Sequence, residues 1–263
     1  MTHTILPITE PVARVCVLLD ELVEKFIATC RDTLPPLGKY EAEVEALNLF
    51  KIAIRNIEGV ITLARHDLIL LPPALAAARG CFETAVKAAW LVDADDPFDR
   101  EARWIVHLSS EESYLARMAS QLEELGQDVT TLRQSETRIR DFRRSVDGKL
   151  PQHTGRLKGT PNFKDMLVAL GGERLYSFYT LLSQSAHAEH PTTWLYRIGG
   201  VGTEKRLGEF VKPADWWVPL QICFLSFSHP CRVFLDRLGG KPDQFLSSET
   251  RQKIEANISR ITE

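Results

Sequence analysis

Apolar residues recur at helical spacing along almost the whole chain, while the strict alternation of a half-buried strand is scarce. That pattern leaves few architectures other than packed helices. Amphipathic segments run over 11–31, Glu41 to about Arg65, Ala74 to Val92, Phe98 to Leu125 and 128–146. Further ones cover 162–170, 173–188, 214–238 and 247–261. Prolines and glycines punctuate them: Pro35-Pro36-Leu37-Gly38, Pro72-Pro73, Gly126 and Gly171-Gly172. Asp93-Ala94-Asp95-Asp96-Pro97 reads as a turn followed by a helix N-cap. Residues 147–161 read as an exposed loop. Residues 192–213 carry four glycines and no helical period, so a β-hairpin, if any, belongs there. The expectation is an all-α helical bundle forming one domain over 1–263.

Charge narrows the functions. Lys and Arg number 32 against 35 Asp and Glu, a net −3, which excludes a surface coated in basic charge. One stretch departs from this. Between 133 and 158, eight basic residues face three acidic ones, leaving a local +5, with Arg143 and Arg144 adjacent. It reads as an exposed strip suited to phosphate, or equally as a solvated helix and loop. The five cysteines show no framework spacing and sit in apolar helical segments, which suits reduced thiols in a cytoplasmic protein. The N-terminus lacks the pattern of a signal peptide. The longest uncharged run, Trp216 to Cys231, has 16 residues and two prolines. It is short of the ~20 apolar residues a span needs, so it reads as a buried helix and no membrane partner is expected.

Polar groups on apolar faces are the candidates for chemistry. On an ideal wheel Leu75, Phe82, Val86 and Trp90 fall within about 80° of one another, with Arg79 and Glu83 inside or beside that stripe. The fourth helix repeats the pattern: Trp104, Tyr114, Met118, Leu122 and Leu125 share a face with His107 and Glu111 in its middle. Along the edge of helix 173–188, Tyr179, Ser183 and His187 line up at i, i+4 and i+8. Buried charge is avoided unless paired, so Arg79, Glu83, His107, Glu111, Ser183 and His187 are expected to converge, with Arg79 bound to Glu83 or Glu111.

The combination of RGCFETAVKAAWLVDADDPFDREARW at 79–104 with YTLLSQSAHAEHP at 179–191 resembles an uncharacterised family of bacterial all-helical proteins. That family has an Arg-x-x-x-Glu helix, an aspartate-rich turn and a later Ser-x-x-x-His helix. Its layout is similar to the HEPN (higher-eukaryote and prokaryote nucleotide-binding) domains, many of them metal-independent ribonucleases of toxin or phage-defence systems. The resemblance, over roughly 65–195, implies an RNA-directed or nucleotide-binding protein without a cofactor. His187 would be the general acid/base and Arg79 the cation on phosphate. Glu83 falls on the family's acidic position, and Ser183 with Tyr179 would position substrate. Ser183, rather than an arginine, stands four residues before His187, so Arg79 would serve from another helix.

Two other classes remain open, and a homodimer is compatible with all. A metal-dependent hydrolase or oxidase would draw ligands from Glu83, His107, Glu111 and His187, although the Glu-x-x-His spacing of di-iron bundles is absent. A non-catalytic binding module would use Trp194, Trp216 and Trp217 as a partner surface, and buried anchors in the last bundle helices account for them equally well.

Overall fold

The computed structural model describes residues 5–147, 149, 159–186, 195, 197–198, 206–207 and 210–263. Ten α-helices occur among them: α1 (Glu10–Thr33), α2 (Glu41–His66), α3 (Leu71–Val92), α4 (Pro97–Glu124), α5 (Thr130–Asp147), α6 (Phe163–Ala169), α7 (Tyr176–Ala186), α8 (Trp217–Arg237), α9 (Pro242–Phe245) and α10 (Ser248–Ser259). The helical bundle expected from periodicity is present. The described strand is a two-residue antiparallel pair, Arg197–Ile198 with Arg206–Leu207, inside the glycine-rich segment.

The helix starts follow local chemistry. Asp96 caps α4 by accepting from the Phe98 amide at 2.9 Å, with Pro97 in the first turn where its missing N–H costs nothing. Asn162 caps α6 through the Asp165 amide. Gly126 and Gly171, at φ 71° and 67°, turn the chain out of α4 and α6. One boundary differs from expectation. Pro72 and Pro73 lie within the first turn of α3, so they begin that helix rather than break the chain before it.

α3 is the central helix, packed on α2, α7 and α8. Small residues let it approach closely: Ala74, Ala78, Ala85, Ala88 and Ala89 are fully buried. At Gly80 a Cβ would lie 2.9 Å from the Asn56 side-chain amide, so the missing side chain makes room for Asn56 of α2 against α3. The core then fills with aromatics. Phe26 of α1 touches Phe50, Phe227, Phe234 and Phe245, tying α1, α2, α8 and α9 together. Burying each such ring contributes about 1.5–3 kcal/mol. Trp216 is fully buried and donates its indole N–H to the Leu68 carbonyl at 2.7 Å. That corrects the partner-surface reading for this residue: it is a core anchor. Trp217 is half-buried against the same core, and Trp194 lies outside the described residues.

Two helices, over Leu68–Val92 and Pro213–Arg237, are long and apolar enough by length and composition to cross a membrane, but both sit in the middle of the bundle. The cysteines are free thiols; burial pushes Cys16 and Cys30 up to about 12 and holds Cys231 high, while the Cys81 hydrogen bond, joined by burial, raises Cys223.

α4 and α5 form a hairpin of different character. α5 packs extensively on α4 alone, and α4 reaches α2 and α3 mainly through its first half. On α4 the buried residues are Arg100, Ile105 and Ala119.

Candidate functional site

Arg79, Glu83 and Lys87 stand one turn apart along α3 and make a polar stripe beside its apolar face. Arg79 Nε donates to Glu83 Oε1 at 2.7 Å, the pairing expected from the i,i+4 spacing. The Arg79 side chain is 19% exposed and the Glu83 side chain 39%, so this pair faces the surface at its acidic end. The guanidinium also lies over the Tyr179 ring, 5.3 Å from its centroid. Burial works against the Arg79 charge, and the Glu83 hydrogen bond and charge, joined by Tyr179, outweigh it and hold the guanidinium above its ordinary range.

Tyr179 belongs to an aromatic stack. Phe163 of α6 lies against it at 4.4 Å with planes 30° apart, and Tyr176 follows at 5.6 Å and 26°. Phe82 of α3 meets Phe163 edge-on at 5.1 Å. Lys164 Nζ stands 5.8 Å from the Tyr176 centroid. Three rings and two cations thus share one partly exposed patch where α3, α6 and α7 meet. Ser183, half-buried, is one turn beyond Tyr179. His187, the expected acid/base, lies outside the described residues.

The other two members of the expected cluster are elsewhere. His107 faces α2, where its Nε2 is 3.8 Å from Glu45 Oε1, a charge contact too long for a hydrogen bond. His107 Nδ1 is buried without a hydrogen-bond partner among the described residues. The imidazole holds the Glu45 carboxyl below its usual range despite burial, and Lys87 adds to the effect. Lys87 therefore links the Arg79–Glu83 stripe to the Glu45–His107 contact. Glu111 is exposed, and so are Tyr114 (52%) and Leu125 (73%). The inward face expected for α4 meets α2 and α3 mainly over its first half.

Three of the eight basic residues of the strip, Arg133, Arg140 and Arg143, are committed within the hairpin, and Arg156 and Lys158 lie outside the described residues. Arg143 is half-buried, pairs with Glu112 and donates to the Ile105 carbonyl at 3.1 Å, so it fastens α5 to α4 rather than standing free. Arg133 pairs with Glu123 and Glu136, and Arg140 with Glu136. Arg144 is exposed. Two open grooves lie on this hairpin, one lined by Glu123, Arg133 and Arg138, the other by Ser109, Ser113 and Arg117. Among the described residues no three His, Cys, Asp or Glu side chains group to hold a metal. Glu83 is taken by Arg79, His107 faces Glu45 and Glu111 points outward, so the described members of the proposed ligand set stand apart.

The deepest ion pair was not among the sequence candidates. Arg100 Nη1 meets Glu43 Oε1 at 3.1 Å, with side chains 9% and 12% exposed. Arg100 Nε donates to the Ala94 carbonyl at 2.8 Å and Nη2 to the Arg237 carbonyl at 2.9 Å. Arg237 in turn binds Asp93 at 2.9 Å and Asp95, so the aspartate-rich turn clamps α8 to the start of α4. Its carboxylates are structural. Phe163 and Tyr176 were also missed. The i,i+3 spacing of Tyr176 and Tyr179 was visible in the sequence, whereas nothing local tied Phe163 to them.

No curated protein and no solved structure matches the chain. A profile described as a family of unknown function (DUF5677) matches residues 45–199, a span holding α3, α6, α7 and the whole aromatic patch. That span is more than half of the sequence, and the chain belongs to this DUF5677 family.

Proposed function

We propose that this protein binds RNA or a nucleotide at the patch formed by α3, α6 and α7. The observation that carries the reading is the stack of Phe163, Tyr179 and Tyr176 with Arg79 and Lys164 against its rings. Aromatic faces accept nucleobases with little regard to sequence, and neighbouring cations hold the phosphates. Lys164 is exposed and has a ring as its neighbour, so it meets an incoming phosphate without leaving a carboxylate. The HEPN-like layout read from the sequence supports the same substrate class. In its ribonuclease form the reading assigns proton transfer to His187, four residues after Ser183.

The test is fluorescence anisotropy with a labelled single-stranded oligoribonucleotide, with ATP as competitor. Binding is expected to weaken steeply with salt. Tyr176→Ala is expected to weaken it about 5- to 150-fold, the range of one lost stacking contact. In the ribonuclease form, His187→Ala abolishes cleavage in chelator while leaving anisotropy unchanged. Absence of binding, or binding indifferent to both Tyr176→Ala and Lys164→Glu, overturns the proposal.

A further inference from the structure

One apolar stripe of α4 changes partner halfway along its length. In the first half Arg100, Arg103 and His107 reach into the bundle: Arg100 binds Glu43, Arg103 donates to the Trp90 carbonyl and lies over the Trp90 ring, and His107 faces Glu45. Wound at 100° per residue, Tyr114, Met118, Leu122 and Leu125 continue on that side. There the cover thins: Tyr114 is 52% and Leu125 73% exposed, while Met118 and Leu122 between them are half-buried. α5 does not supply the cover, because it packs on the opposite side, where Glu112 binds Arg143, Ala119 is fully buried and Glu123 binds Arg133.

We propose that this second half of α4 is a dimer face whose occupant is the same segment of a second copy, antiparallel to it. The charges argue for a copy rather than a foreign helix. Arg117 and Glu124 lie on one flank of the stripe, seven residues apart and within about 20° of each other on the wheel. Both are exposed, and neither has a hydrogen bond or ion pair among the described residues. A twofold axis midway between them sets Arg117 of each copy against Glu124 of the other, twice over, as an isologous interface requires. The same axis overlaps the two thinly covered stripes and keeps each copy's helix clear of the other's bundle. The two hairpins then stack as a row of four helices in the order α5, α4, α4, α5, which buries the stripe between the inner pair.

Sedimentation velocity tests this at micromolar concentration, with far-UV circular dichroism to confirm folding. The wild-type chain sediments as a dimer, and Met118→Asp as a folded monomer. Arg117→Glu and Glu124→Arg each set like charges opposite one another and weaken association about tenfold or more. Mixing those two variants restores both pairs, so the mixture forms a heterodimer more tightly than either variant self-associates. A wild-type monomer, or a mixture that stays monomeric, overturns the proposal. So does a dimer unaffected by Met118→Asp.

Discussion

Arg100–Glu43 and Arg79–Glu83 are the same chemical pair in two settings. The first joins residues 57 apart in sequence, has both side chains about a tenth exposed, and spends the other guanidinium N–H groups on the Ala94 and Arg237 carbonyls. The second joins neighbours on one helix, opens its carboxylate toward solvent, and lays its cation on a tyrosine within an aromatic patch. In the closed setting the charges balance each other and several chain ends, which suits a clamp. In the open setting the charge is held on a surface that other molecules can reach, which suits recognition. Burial separates the two roles, and residue type does not.

The largest expected effect comes from the clamp. Arg100→Ala strands Glu43 and two carbonyls in the interior and is expected to cost about 3–5 kcal/mol in urea unfolding. Loss under 1 kcal/mol would erase the distinction. Arg79→Ala is expected to cost only about 1 kcal/mol, because its pair is partly screened by water. It should still weaken oligoribonucleotide binding, so stability and binding change in opposite proportion at the two sites. Double-mutant cycles sharpen the point: coupling in Arg100–Glu43 should exceed coupling in Arg79–Glu83, which belongs near the ~0.3–0.5 kcal/mol of exposed i,i+4 pairs.

The smallest effect is one of pH. The folded state holds the Glu45 carboxyl below its ordinary value. Its contribution is therefore complete above the unfolded pKa of about 4.3 and is lost as pH falls through the lower folded value. Glu45→Gln should flatten that acid limb while changing stability at neutral pH by under about 1 kcal/mol. An unchanged acid limb would show that His107 and Glu45 are mere neighbours.

Helical periodicity gave the bundle and most helix ends, because each depends on residues within a turn or two. Arg79–Glu83 was legible for the same reason. Arg100–Glu43 was not, since no local pattern joins α2 to α4 across 57 residues. The α4 stripe shows a different limit. Trp104, Tyr114, Met118, Leu122 and Leu125 were read correctly as one face, but a wheel says which residues share a side and not what stands opposite. Phe163 reaches Tyr179 only because α6 and α7 fold onto the same part of α3.

Among the described residues α5 is held to the molecule chiefly through α4, which has a kinetic consequence. Opening α5 breaks the Arg143 and Arg133 contacts but leaves the phenylalanine cluster of α1, α2, α8 and α9 intact. Its amides can therefore exchange with deuterium through a local excursion cheaper than global unfolding. Protection along Thr130–Asp147 should fall well short of that along α3, and proteases should find their first cut within that helix before the bundle yields.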